Sequence, residues 1–400
     1  VTKKNQKANI AIAHPEIGFG GSERRVFWGI EALKEEHNVT LITTNDIDFE
    51  LINAYYGTSL TRSDFRIERI PLPFFLRNNN KAAALRGAFF HTYCKSVIKN
   101  YDVFINAYGP FDLGSPAIQI IADFSWDEGL RKKFHPLPSG VFHRQNLLRK
   151  AYLWGIDKIF YPSGKRLCFP NDKMIAVSRW VARQVEDKYK VKCDVVHSPV
   201  PGTFREIPQG ERECGFVCLG RISSEKRIEQ VIEILSSIRS KGYDIHLHII
   251  GDGSDRRYRE YIDSLVRQNG EWIFSEGKLF GSEKISALSR HLFGIHACVG
   301  DAFPGAVVEM IKAGCITFVH REGGSAEIVG NDLLTYDSSG EAVAKITHVL
   351  NNVQLQKNLF EEMVGRGNSF SLDMFMRQFR ETVRDFLKDR RKEGAAPAFL

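Results

Sequence analysis

Three short segments carry residues whose types and spacing could do chemistry. The first, Gly18-Phe19-Gly20-Gly21-Ser22-Glu23-Arg24, stands between an apolar run, Ile10 to Ala13, and a helical pattern from Ser22 to Glu35. Backbone N–H groups left unhindered by Gly20 and Gly21, at the positive end of a helix, suit a phosphate or another anion. No third Gly follows at dinucleotide-fingerprint spacing, and a tight turn ahead of a helix also accounts for the glycines. The second segment, Gly220-Arg221-Ile222-Ser223-Ser224-Glu225-Lys226, sets two cations five positions apart between a strand and a helix. Such a pair clamps a diphosphate, and Gly220 lets the ligand approach the backbone. Surface charge is the alternative, but cations at a helix start oppose the dipole, so an anionic ligand explains them better. The third, Asp301-Ala302-Phe303-Pro304-Gly305-Ala306-Val307-Val308-Glu309, places two carboxylates eight positions apart around a turn that presents backbone N–H groups.

Single residues add to these. His14, with Pro15 and Glu16, ends the first strand, where an α/β sheet makes acceptor contacts; a capped loop explains His14 and Glu16 as well. Asp123 follows the strand Ala117 to Ala122 and could bind a substrate hydroxyl or help deprotonate one; it could equally cap a turn with Ser125. His246 and His248 alternate along a strand and read as structural. No metal is expected, because no group of ligands at metal-binding spacing stands out.

The elements that must position these residues alternate. Strands are predicted at Ile10 to Ala13, Val39 to Thr44, Val103 to Asn106, Ala117 to Ala122, Met174 to Val177 and Asp194 to His197. After a Pro-containing segment a second series begins, with strands at Phe216 to Leu219, Ile245 to Ile250, Glu271 to Phe274, Gly294 to Cys298 and Ile316 to His320. Helices intervene at Glu225 to Ser240, Arg256 to Asn269, Glu283 to Leu292 and Ala306 to Lys312. The fold class is therefore α/β: two doubly wound, Rossmann-like domains, residues 1–198 and 199–371, facing across a cleft. A helix over 372–392 carries Phe375, Phe379, Val383, Phe386 and Leu387 on one stripe and needs a partner.

Length and composition agree with a globular enzyme: 400 residues, 43% hydrophobic and 26% charged, leave room for two cores and argue against disorder. Seven scattered cysteines without a CxxC pair indicate reduced thiols rather than a disulfide framework. No apolar run reaches the roughly 18 residues of a spanning helix, and Val1 to Lys7 is unlike a signal peptide, so a cytoplasmic protein is expected. The net charge of +7 is uneven, with 29 Lys and Arg against 20 Asp and Glu in residues 1–200. Arg77, Lys81, Arg86, Lys95 and Lys99 interleave with Phe74, Phe75, Leu85, Phe89 and Phe90, which suits an anionic membrane face or an ordinary solvated helix. The modest excess and the absence of a recognition motif argue against nucleic acid.

Together the motifs resemble glycosyltransferase family 4, retaining nucleotide-sugar transferases of GT-B architecture. The matching pieces run in family order over about residues 10–370: Gly20-Gly21 with Glu23 and Arg24, Met174 to Ser178, Gly220-Arg221 with Lys226, Gly251-Asp252-Gly253, Phe280-Gly281, Asp301 with Glu309, and Gly323-Gly324 with Glu327. The resemblance implies that Arg221 and Lys226 hold the diphosphate of a UDP or GDP sugar and that Glu309 binds the ribose. It places Asp301 and the backbone of Phe303, Pro304, Gly305 and Ala306 at the donor sugar or its phosphate. Gly20, Gly21, Gly220 and Gly251 would line the nucleotide-sugar site, Gly21 near the diphosphate from the opposite domain, and Leu279 and Phe280 would border the base. His14, Glu16 and Asp123 would face the acceptor, a glycan, polysaccharide or lipid-linked saccharide at the inner membrane face. The last helix would cross back to the first domain. Two positions depart from the family pattern: Asp301 stands for the usual Glu, and the first-domain His is replaced at or near Asp123. An epimerase, a phosphorylase and a catalytically silent carbohydrate-binding member share these parts.

Overall fold

The computed structural model describes residues 7–73, 76, 82–134, 147–160, 167–202, 204, 207–253 and 255–395. It contains two all-parallel sheets. In the first, β1 (Asn9–Ala13), β2 (Asn38–Thr43), β3 (Arg66–Arg69), β4 (Val103–Asn106), β5 (Ile118–Ile121), β6 (Lys173–Ala176) and β7 (Asp194–Val195) are ordered 3-2-1-4-5-6-7. In the second, β8 (Glu213–Leu219), β9 (His246–Ile250), β10 (Ile273–Gly277), β11 (His291–His296), β12 (Ile316–His320) and β13 (Thr335–Tyr336) are ordered 10-9-8-11-12-13. The order reverses between β1 and β4 and again between β8 and β11. Crevices open beyond the carboxyl ends of strands at such reversals, and ligands bind there.

Continuous apolar runs make these strands. β4, β5, β11 and β12 are buried along their whole length, as strands covered by helices on both faces must be. β3, Arg-Ile-Glu-Arg, lies at an edge and keeps charged ends in solvent, which is why no apolar run announced it. Caps fix several helices: Asp48 accepts from Leu51 N ahead of Phe49–Tyr56, and Ser178 from Val181 N ahead of Arg179–Tyr189.

Each sheet has its own core. Val196 still packs in the first and Val200 already in the second. The helix Leu372–Ala395 returns to the first: Phe375, Phe379, Val383 and Phe386 are buried beside Phe27 and Ile30, and Arg380 Nε donates to Ala32 O at 2.6 Å. Each such side chain contributes about 2 to 3 kcal/mol by leaving water.

One boundary differs in a way that matters. The helix expected from Glu225 begins only at Ile228, because Arg227 takes a left-handed φ of 52° after a 3-10 turn over Ser224–Lys226. That break frees Lys226 from the helix surface. β8 begins at Glu213 and β11 at His291, both three residues before their apolar runs, since Glu213 and His291 pair across the sheet.

Candidate functional site

The crevice of the second sheet is flanked by the loops after β8 and β11. Lys226 follows β8, Asp301 follows β11, and Lys226 Nζ donates to Asp301 Oδ2 at 2.5 Å. His296, at the end of β11, brings Nε2 to 3.4 Å from the same oxygen. Burial opposes charge on both partners of the pair, but their mutual attraction dominates. Asp301 is held far below the carboxylate range by Lys226 and then His296, and Lys226 is held above the ordinary amine range by Asp301. An ion pair so placed keeps a cation ready for an incoming diphosphate and a fixed acceptor for a sugar hydroxyl. Arg221 stands at the rim with its side chain 77% exposed and meets Glu225 at 3.2 Å.

Beyond Asp301, Pro304 precedes the helix Gly305–Lys312, whose first N–H groups lie outside its own ladder. Glu309 is buried one turn in and paired twice. Lys284 Nζ lies 2.7 Å from Oε2, and Arg24 Nη1 reaches Oε1 at 3.6 Å from the other domain. A Cβ on Gly305 would meet Arg24 Nη2 at 2.5 Å, so the guanidinium lies against the start of that helix. A cation beside a positive helix end is a place for an anion.

Glycine packs the loops. Gly220 and Gly251 take φ of +149° and +152°, and any side chain on Gly251 would collide with Gly220 O. Gly323 bridges to Asp301, whose carbonyl accepts from Gly324 N at 2.7 Å. Leu279 packs on the second core, and the exposed Phe280 ring faces Tyr55 edge-on at 6.1 Å, with Lys278 Nζ 4.9 Å above it. Phe303 stacks on His197 at 5.3 Å and belongs to the domain contact.

The crevice of the first sheet holds His14 and the start of the helix Gly21–Leu33. His14 directly follows β1 and contacts Tyr108, after β4, edge-on at 5.4 Å. Its ring is buried, neither nitrogen has a well-aligned hydrogen-bond partner among the described residues, and burial pushes it down to about 4. Arg25, also buried, donates from Nη2 to Ser198 Oγ at 2.8 Å, while Nε and Nη1 find no partner among the described residues. Asp123 is exposed: its Oδ1 accepts from Ser125 N at 2.8 Å, which is the turn-cap geometry, while its charge still acts on His14 and Arg25. Glu16 lies at the surface, 3.6 Å from Arg86. Gly20 N donates to Tyr56 Oη, which in turn donates to Gly18 O, so a buried tyrosine shapes the glycine loop. The first helical residue, Gly21, has open space around it.

The crevices face one another. Ser178 Oγ donates to Ala302 O at 2.7 Å, and Glu327 accepts from Arg179 N at 2.7 Å and meets His197 at 2.8 Å. Sequence reasoning brought Lys226, Asp301 and Glu309 to one crevice and His14 and Asp123 to the other. It assigned no role to Arg24, Arg25, Lys284 or Tyr56, whose partners lie far off in the chain, nor to His296, which meets Asp301 only because the loop after β11 folds back on the strand end. Of the basic aromatic stretch, Phe74, Phe75, Arg77 and Lys81 lie outside the described residues, and Phe90 is core rather than surface, packed beside Cys94 and Phe104.

Two facing doubly wound domains with a C-terminal helix crossing back make a GT-B glycosyltransferase fold. Residues 203–363 match the family model for glycosyl transferases group 1. The chain is similar to an uncharacterized glycosyltransferase, MJ1178 of Methanocaldococcus jannaschii, at 26% identity over 206 residues, 50% of this chain. That alignment spans 55% of the archaeal protein, about half its length. Among solved structures, a sucrose-phosphate synthase from Thermosynechococcus elongatus aligns over 96% of this chain and all of its own, at 13% identity and a TM-score of 0.68. Anabaena Alr3699/HepE, solved with UDP and glucose, aligns over 94% of this chain and 99% of its own, at 12% identity and a TM-score of 0.62.

Proposed function

We propose that the protein transfers a hexose from a nucleoside-diphosphate sugar to a saccharide acceptor, with retention at the anomeric carbon. The observation that carries the reading is the half-buried Lys226–Asp301 pair at the reversal crevice, with Glu309 on the helix that follows Asp301 and Arg24 of the other domain paired to that glutamate. In this reading Lys226, Arg221 and the first N–H groups of Gly305–Lys312 receive the diphosphate, Glu309 the ribose, and Asp301 a donor hydroxyl. The bond from the anomeric carbon to the phosphate oxygen breaks as the acceptor oxygen bonds to the same face. The acceptor proton passes to the departing phosphate, so no strong protein base is needed, and the cations and backbone donors stabilise the charge that develops. The electrostatic work falls to these cations without a metal at the diphosphate. UDP in the similar Anabaena protein favours a uridine donor.

The acceptor enters over the first domain. The helix Leu147–Phe160 leaves Trp154 65% and Ile159 74% exposed near Lys150 and Lys158, which supports an acceptor presented at an anionic membrane surface. Thermal-shift measurements with UDP-, GDP- and ADP-sugars test the donor: a ligand at a hundred times its Kd adds about 2.7 kcal/mol of stability. Anomeric NMR of the product tests retention. Donor binding with neither hydrolysis nor transfer across an acceptor panel would leave a carbohydrate-binding protein without turnover, and no response to any donor would sink the reading.

A further inference from the structure

A second constellation lies at the opposite end of the C-terminal sheet. Glu213 opens β8, His246 and His248 lie on β9, and His291 opens β11. Register sets them on one face: Gly215 pairs with His246 and Glu213 with His291 in neighbouring strands, and His246 and His248 are two residues apart. Gly215 is needed for this, since a Cβ there would occupy the place of the His246 ring. Each of the four residues offers one ligand atom, and the four atoms lie within 4.8 Å of one another. His246 Nε2 stands 3.2 Å and His291 Nε2 3.9 Å from Glu213 Oε2.

The surroundings prepare these imidazoles to donate lone pairs. His291 is fully buried and its Nδ1–H donates to Ala287 O at 2.6 Å, which leaves the lone pair on Nε2. His248 Nδ1–H donates to Glu276 Oε1 at 2.5 Å, the carboxylate–histidine arrangement that orients metal-bound imidazoles. Arg290 holds the other Glu213 oxygen at 3.2 Å, and Phe274 walls the site from β10, 4.8 Å from His248. Among the described residues, buried His291 Nε2 makes no hydrogen bond, and buried His246 Nε2 has only its off-angle approach to Glu213 Oε2. Native interiors seldom leave two such atoms side by side without a further partner.

We propose that Glu213, His246, His248 and His291 form a binding site for a zinc-class divalent cation. Three imidazoles and one carboxylate are a tetrahedral set for Zn2+. Metal–ligand bonds of about 2.0 Å place ligand atoms about 3.3 Å apart, so binding draws no pair inward by more than about 1.5 Å. The site is structural in position. It joins the amino ends of the three adjacent strands β9, β8 and β11, and the length of β8, about 20 Å, separates it from Lys226 and Asp301.

The test uses the full chain, stripped with a chelator and titrated with Zn2+ by calorimetry and with Co2+ by absorption. The expected result is one equivalent bound, visible bands of four-coordinate cobalt, and a raised melting temperature. Affinity should fall at least tenfold in His248→Gln and in Glu213→Gln, and measurably in Glu276→Gln, which positions His248. Circular dichroism verifies that each variant is folded. Should His248→Gln fail to fold, Glu213→Gln decides alone, because its side chain is 43% exposed. Absence of saturable binding overturns the proposal, and so does binding that Glu213→Gln leaves unchanged, which would put the ion elsewhere, for example at His296, Cys298 and Asp301.

Discussion

Lys226 and Arg221 are both cations of one loop, but burial separates what they do. Lys226 lies among Asp301, His296 and Cys298, whereas Arg221 reaches into solvent with one partner. Arg221→Ala is therefore the cleaner probe of the diphosphate clamp: transfer should fall at least about tenfold while the melting temperature stays put. Turnover equal to that of the wild type would remove Arg221 from the clamp. His14 supplies a pH prediction. The unfolded chain takes up a proton near 6.5 that buried His14 refuses until about 4, so folding stability declines as pH falls through that window. The full loss is about 3 kcal/mol. Asp301, whose carboxyl is depressed below 3.8, keeps its contribution until stronger acid; Lys226, raised above 10.5, keeps its own until strong base. Denaturant titrations of wild type and His14→Asn should diverge between about pH 6.5 and 4, with the wild type losing more. Parallel losses would mean that His14 does not set this slope.

At the scale of elements, the site is a set of strand ends held in register by glycine. The loop after β8 touches the end of β9 and its loop through backbone, Gly220 N donating to Ile250 O at 3.0 Å and Ile222 N to Asp252 O at 2.9 Å, and Gly251 N ties the loop after β9 to the end of β10 at Gly277 O, 2.7 Å. Gly251→Ala adds both a left-handed strain and a collision with Gly220 O, and should cost about 2 kcal/mol or more in urea unfolding. Gly21→Ala meets nothing and should change stability by less than about 0.5 kcal/mol. If the helix Gly21–Leu33 faces the diphosphate, the same substitution raises KM for the donor. The contrast between the two glycines was not readable from their motifs, because space around a Cα depends on the loop packed against it.

The whole molecule is held by contacts between chain segments far apart. Glu327, from the second domain, caps the helix Arg179–Tyr189 of the first, and the last helix inserts Phe375, Phe379, Val383 and Phe386 into the first core. Phe379 faces Gly29, where a Cβ would sit 3.0 Å from its ring. Phe379→Ala should destabilise the protein by about 3 to 5 kcal/mol, through lost burial and the cavity left behind, as read by thermal or urea unfolding. A loss under about 1 kcal/mol would mean that the last helix is not anchored there.

Much of this was written in local patterns. The βα alternation, the doubly wound architecture it implies, and the positions of the Gly20-Gly21, Arg221–Lys226 and Asp301–Glu309 segments follow from periodicity and turn chemistry, which depend on near neighbours along the chain. Short or charged elements such as β3 and β13 carried no such period. What only the tertiary structure decided is which distant groups meet: Arg24 with Glu309, Tyr56 under the glycine loop, Glu327 on a helix of the other domain, and three histidines with Glu213. Those meetings depend on strand register and on how one domain lies against the other. A side chain's charge and shape do not reveal its partner until the backbone has brought the two within a few ångströms.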